Sequence, residues 1–268
     1  SIACLSLPVL TTEQIRQFAT VGWIVVSGLV DDHVLNALDA EVDHLVAANP
    51  PSTGHVGPHF YWPSRGESAA FFDPLQSANG ILAVAGELVG PSGIDVAFEQ
   101  AQVALNIPPY DHRPARPHID GYAPDQPTPG SFTLLAGLLL SDQTTDNGGN
   151  LWVWPGTHLS HGAFFAERGP QAFAVAEGYL DIQLPEPTQV RGRRGDVLFA
   201  HYLLGHNIGG NETDRIRRVI YWRLRATGHA DRWAQCLTDP WLEFQGVGKH
   251  WTRDAKLNAS DRRGSEHD

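Results

Sequence analysis

From residue 95 onward the chain reads as short apolar runs closed by Pro, Gly or Asn. That punctuation constrains the fold more than any other feature. The runs are "DVAFEQAQVALNIPP", "GSFTLLAGLLLSD", "GNLWVWPGTH", "YLDIQLPEP", "GDVLFAHYLLGHNIG" and "RIRRVIYWRLRA". Apolar stretches of this length between turn residues predict strands, and several at this spacing predict a sandwich or barrel. The 19 Pro and 27 Gly residues supply the turns such an architecture needs.

The front of the chain has a different period. In "TTEQIRQFATVGWIVVSGLV", Thr11 or Thr12 precedes Glu13 and Gln14, which is a helix-start signal. Ile15 and Phe18 share a helical face, Gly22 ends the helix, and "WIVVSGLV" reads as a strand. Val34, Leu35, Leu38, Val42 and Leu45 then recur at helical spacing behind Asp31 or Asp32, so an amphipathic helix is expected to cover a sheet. Residues 49–72 carry Pro, Gly, His and aromatics without period and are expected to form a long loop. "NGILAVAGELVG" reads as a short helix, and "PGTHLSH" as a turn.

The net charge of -11 argues against a nucleic-acid surface or an anionic membrane as partner. Cys4 and Cys236 form neither a zinc ribbon nor a disulfide framework, so a reducing cytoplasm is the expected compartment. No apolar run is long enough to span a bilayer, and "SIACLSLPVL" lacks the basic start of a signal peptide. A small molecule is the expected partner, with the protein a monomer or homodimer.

The chemistry centres on "RPARPHIDGY". Its His118-Ile119-Asp120 is by itself uninformative: chance supplies roughly one His-x-Asp in a chain of this composition. A second match, His229-Ala230-Asp231, reads as surface or the entry to a helix. In a strand, His118 and Asp120 aim an imidazole and a carboxylate to the same side. "GDVLFAHYLLGHNIGGN" offers His201 or His206 as a third ligand. Two His and one carboxylate on one side of a metal leave its other positions open, the arrangement of non-haem Fe(II) oxygenases. A 2-oxo acid co-substrate then needs a fixed cation, and Arg215, Arg217 and Arg218 are candidates.

Several stretches, in order, resemble the phytanoyl-CoA dioxygenase family of iron- and 2-oxoglutarate-dependent oxygenases. They are "TTEQIRQFATVGWIVVSGLVDD", "RPHIDGY", "DNGGNLWVWPGTH" and "GDVLFAHYLLGHNIGGNETDRIRR", together spanning about residues 11–225. The resemblance implies that His118, Asp120 and His206 bind iron. It implies that Arg217, eleven residues after His206, holds the distal carboxylate of 2-oxoglutarate. Gln102 and Asn106 resemble polar strand positions that face the co-substrate. The family often has Ser two residues after the distal His. Ile208 stands there in this chain, and Thr133 is expected to supply the missing contact.

The implied fold is mainly β with flanking helices: a double-stranded β-helix (a cupin-like jelly roll) with N-terminal helices packed on one sheet. One domain over 1–268 is expected. It comprises a helical front and lid region at 11–92, a jelly-roll core at 93–228 and a polar tail at 254–268. The implied cofactors are Fe(II), 2-oxoglutarate and O2, with ascorbate as a supporting reductant. The implied reaction converts 2-oxoglutarate to succinate and CO2 while hydroxylating, desaturating, cyclising or epimerising a small organic molecule, a chemistry common in secondary metabolism. Asp120 argues against halogenation, which needs Gly or Ala there. Tyr61 and Trp62 are expected in a lid over the metal, and His59, Tyr122 and Trp152 are further candidates for substrate contact. The competing readings are a non-catalytic cupin-like binder and a metal-dependent hydrolase or isomerase.

Overall fold

Thr11 starts the first helix as its side chain predicts. The hydroxyl accepts the Gln14 N–H and the Gln14 side chain accepts the Thr11 N–H, so α1 (Thr12–Val21) begins with a reciprocal capping box. Gly22, at φ 88°, turns the chain out of the helix into β1 (Trp23–Val26). α2 (Asp32–Ala48) follows and buries Leu35, Leu38 and Val42, the expected stripe. The computed structural model describes residues 9–77, 80–96, 100–121, 131–172 and 182–248. Tyr122 and the expected polar tail lie outside the described residues.

Residues 49–72 do not form one long loop. They contain β2 (Gly57–Tyr61) and the start of a 3-10 helix (Ala69–Leu75) that tucks Phe71 and Phe72 into the core. The short strand escapes periodicity because it runs along a sheet edge, where both faces carry aromatics and His. α3 (Ile81–Val89) matches expectation.

β3 (Ile94–Asp95), β4 (Gln102–Ile107), β5 (Leu134–Leu139), β8 (Val197–His201) and β10 (Arg217–Ala226) join β1 and β2 in a seven-stranded antiparallel sheet. Its order is β1-β8-β5-β10-β4-β2, with β3 on the end of β10. β6 (Leu151–Val153), β7 (Thr188–Gln189) and β9 (His206–Ile208) form a three-stranded antiparallel sheet, ordered β7-β6-β9. The two sheets make the expected jelly roll, without a closed barrel. "YLDIQLPEP" is not a strand over its described part, since pairing begins only at Thr188.

Strand alternation divides the core. Leu134, Ala136, Leu138, Phe199, Ile220, Trp222 and Leu224 face the N-terminal helices. Leu135, Leu139, Leu198, Val219 and Tyr221 face the small sheet. Both faces are buried, which is why these strands read as continuous apolar runs rather than as alternating ones. Burying a side chain such as Phe199 contributes about 1.5–3 kcal/mol, so the helical cover is a main source of stability. Arg194 and Arg218 tie α2 to the sheet through Asp39 and Asp43.

"PGTHLSH" is the start of α4 (Thr157–Arg168), not a turn. Its buried positions, His158, His161, Gly162 and Phe165, fall at helical spacing; the period is hidden because two of them are His. α5 (His229–Thr238) follows β10, and His229 at its entry is buried rather than exposed.

Candidate metal centre and co-substrate pocket

β9 presents His206 on the inner side of the small sheet. The His118 backbone pairs with it in a two-way bridge, N–H to carbonyl in both directions at 2.8 and 3.1 Å. This bridge, rather than a regular strand, sets the imidazoles side by side, with ring centroids 4.5 Å apart. Asp120 Oδ1 lies 3.3 Å from His118 Nε2 and 3.6 Å from His206 Nε2. One ligand atom from each residue lies within 4.8 Å of the other two.

The donor set fits a metal ion. His206 Nδ1 is 2.9 Å from the Leu204 carbonyl, which can only accept. Nδ1 therefore carries a hydrogen, and Nε2 is left to meet a cation beside Asp120. Burial opposes ionisation of Asp120, but the two imidazoles and the Arg223 guanidinium hold its carboxyl far below the usual range. Burial lowers the His118 pKa, with His206 adding to the effect. Burial would lower His206 as well, but the hydrogen bond and charge of Asp120 outweigh it and raise its pKa. A carboxylate held ionised between two imidazoles is the chemistry a divalent cation binds.

His201 is not part of this set. Its Nδ1 accepts the Leu203 N–H at 3.0 Å and its Nε2 donates to the Pro240 carbonyl at 2.8 Å, so neither nitrogen is free. His158 and His161 are likewise buried on carbonyls, of Ala19 and Leu203. A second convergence, of His229, Cys236 and Glu243, is satisfied internally. Glu243 pairs with Arg232 at 2.9 Å and His229 at 2.8 Å, and burial pushes the Cys236 thiol away from the thiolate form.

Of the three arginines, Arg217 points into the cavity with the His-Asp-His set. Arg215 is solvent-exposed, and Arg218 turns outward to Asp43 at 2.7 Å. Arg217 is 7% exposed, and its partners are neutral: the Tyr221 hydroxyl at 2.6 Å and Gln143 Oε1 at 3.3 Å. Among the described residues no carboxylate pairs with it. Gln143 Nε2 beside it is buried without a partner. A buried cation and an orphaned donor together call for an anion. Two glycines make the room. A Cβ on Gly149 would lie 2.8 Å from the Arg217 Cβ, and one on Gly137 2.6 Å from the Tyr221 ring.

The remaining expected site residues divide. Gln102 lines the cavity, and so does Ile208. Asn106 pairs across the sheet with Arg217, but its amide donates to the Gly209 carbonyl behind the cavity wall. Thr133 cannot supply the missing serine contact. It accepts the Ala226 N–H and donates to Glu243 at 2.6 Å, at the opposite end of β10 from Arg217. The nine residue steps from Arg217 to Ala226 put it roughly 30 Å away at strand rise.

Alternation along β2 sends His59 and Tyr61 to the side away from the His-Asp-His cavity, where the Tyr61 phenol donates to the Asn49 carbonyl. Phe60 faces the cavity instead, and Trp62 packs over Arg223. Trp152 faces outward from the small sheet, under Arg113 and against Gly209, while its neighbour Leu151 lines the cavity. Tyr221 and Arg223 were legible in principle, since they share Arg217's face at steps of two along β10. Phe60 was not, because its stretch reads as a loop.

A model of the phytanoyl-CoA dioxygenase family matches residues 18–219. The chain belongs to the phytanoyl-CoA dioxygenase family. It is therefore an enzyme of the non-haem iron, 2-oxoglutarate-dependent oxygenase class. The fold is shared with HygX from Streptomyces hygroscopicus, solved with nickel and 2-oxoglutarate. That match has 19% identity and a TM-score of 0.56 over 82% of this chain and 89% of HygX. It is also shared with two enzymes of nogalamycin biosynthesis. The carbocyclase SnoK matches at 18% identity and TM-score 0.54, over 79% of this chain and 82% of its own. The epimerase SnoN matches at 21% identity and TM-score 0.54, over 81% and 85%. No curated protein sequence matches. Among the described residues, no helix is long and apolar enough to cross a membrane.

Proposed function

We propose that this oxygenase oxidises an unactivated C–H bond of a small organic molecule with an apolar face. In this reading His118, Asp120 and His206 hold Fe(II), and Arg217 holds the distal carboxylate of 2-oxoglutarate. The observation that carries the reading is a buried guanidinium without a carboxylate partner in the same cavity as the His-Asp-His set. When bound, iron, 2-oxoglutarate and O2 supply the oxidant that removes a substrate hydrogen, leaving succinate and CO2.

The chain's own residues bind, orient and shield. Arg217 neutralises the distal carboxylate, and a guanidinium does so with two parallel hydrogen bonds. The Tyr221 hydroxyl, already 2.6 Å from Arg217, takes the place of the serine that Ile208 replaces. Gln143 Nε2 is a further donor to the same anion. Leu135, Leu151 and Ile208 keep the walls apolar, which strengthens these charge contacts. Phe60 and Trp62, 38% and 44% exposed, offer the substrate an aromatic shelf at the mouth. Hydrogen removal opens hydroxylation, desaturation, ring closure and epimerisation alike, and the substrate's position on that shelf selects among them.

The test is succinate production by the purified protein under air with Fe(II) and 2-oxoglutarate. Slow release without substrate, abolished by a chelator, is the expected result. Metal binding without succinate would favour the non-catalytic binder, and turnover without 2-oxoglutarate would favour the hydrolase or isomerase.

A further inference from the structure

Arg223 is a charged residue of the cavity wall that meets neither the metal nor the co-substrate in the proposed function, and its surroundings are specific. It follows Arg217 and Tyr221 on the same face of β10 and reaches the metal-side carboxylate, donating from Nη2 to Asp120 Oδ2 at 2.7 Å. The two oxygens of Asp120 are thereby divided. Oδ1 faces both imidazoles, and Oδ2 faces the guanidinium. A carboxylate free to rotate can offer a metal either oxygen or both. One with Oδ2 engaged offers Oδ1 alone and leaves another metal position for co-substrate or O2.

The guanidinium is itself held. The Trp62 ring lies 5.1 Å from Arg223 Cζ, and the Phe132 ring lies 5.7 Å from it. Flat aromatic faces hold a planar guanidinium better than an ammonium. Trp62 directly follows the edge strand β2, and Phe132 lies just before β5, so the two rings reach Arg223 from segments flanking different strands. Arg223 adds positive charge close to a divalent cation, so electrostatic repulsion alone would make it unfavourable there. Its place beside Asp120 is explained by a positional benefit.

We propose that Arg223 is a positioning residue that keeps Asp120 a one-oxygen metal ligand, and that Trp62 at the cavity mouth locks Arg223 in that pose. The inference rests on the assignment of His118, Asp120 and His206 as metal ligands. It makes Trp62 a link between the substrate shelf and the metal carboxylate, 58 residues apart in sequence.

Cobalt(II), which reports its coordination through visible absorption, is the probe. Arg223→Gln, Arg223→Lys, Trp62→Ala and His118→Ala are titrated anaerobically with Co(II) alone, with folding checked by circular dichroism. Arg223→Gln is expected to change the Co(II) spectrum and weaken binding about tenfold, in the range for partners of metal ligands. Arg223→Lys keeps the charge and should restore part of the wild-type spectrum. Trp62→Ala should move the spectrum in the same direction as Arg223→Gln by a smaller amount, and it serves as the probe if Arg223→Gln does not fold. A wild-type spectrum and affinity in Arg223→Gln would overturn the proposal, as would a wild-type spectrum in Trp62→Ala for its locking role. Loss of Co(II) binding in His118→Ala separates the two levels. If that variant binds Co(II) normally, the metal assignment itself falls.

Discussion

At the scale of single residues, the site is a set of unsatisfied demands placed in one cavity. Arg217 is a buried cation with neutral partners, so removing it should strip the co-substrate's anchor and spare the metal. Arg217→Ala is expected to raise the 2-oxoglutarate concentration needed for half-maximal rate by two orders of magnitude or so, the effect of losing about 3 kcal/mol of charge-assisted hydrogen bonding. Iron affinity should stay unchanged. Tyr221→Phe removes one hydroxyl and should raise the same concentration roughly tenfold, at about 1.4 kcal/mol. Steady-state rates against 2-oxoglutarate check both. A Tyr221→Phe enzyme with wild-type dependence would return the serine's role to Gln143 or leave it unfilled. His118, Asp120, His206 and Arg217 are singled out by the ordered resemblance to the family, whereas spacing alone leaves His201 beside His206, and Arg215 and Arg218 beside Arg217, as candidates. Alternation along β10 puts Tyr221 on Arg217's face, but the hydroxyl's position also depends on Gly137 making room under its ring, a contact across neighbouring strands that the sequence does not show.

At the scale of elements, β2 is the informative case. Read as sequence, residues 49–72 are a loop with aromatics, and Tyr61 and Trp62 are equal candidates. Pairing with β4 fixes which side each residue takes: Tyr61 toward α2, Phe60 toward the cavity of His118, Asp120 and His206. A one-residue change of register reverses every such assignment, and composition cannot reveal it. The lid idea therefore narrows to Phe60 and Trp62. Phe60→Ala should raise the substrate KM several-fold while the metal and 2-oxoglutarate affinities stay as in the wild type. Tyr61→Phe should leave the substrate KM alone, because its phenol bonds to the Asn49 carbonyl. Substrate kinetics that respond to Tyr61 and ignore Phe60 would place the shelf on the wrong face of the strand. α4 teaches the same lesson: its helical period is visible only once His158 and His161 are known to be buried.

At the scale of the whole molecule, the jelly roll is two sheets with helices over one of them. A buried His cluster, behind the metal side, joins α4 to the strands. His158 is pushed down to about 4 by burial, and burial also carries His201 well below its ordinary value. Between pH 6.5 and about 4 the unfolded chain binds a proton at His158 that the folded chain refuses. Stability from this ring is thus complete above pH 6.5 and falls as pH drops, by about 1.4 kcal/mol per unit. In chelator, melting temperature should drop from pH 7 to pH 5, and His158→Gln should flatten that slope. An unchanged slope in the variant would mean that the ring is protonated in the folded protein. Anaerobic absorption reads the cavity these layers enclose most directly. Fe(II) and 2-oxoglutarate added together should give a weak visible charge-transfer band in the wild type. His118→Ala and Asp120→Ala should lose it, and Arg217→Ala should show it only at much higher 2-oxoglutarate. A band that persists in His118→Ala, or saturates normally in Arg217→Ala, would contradict the account.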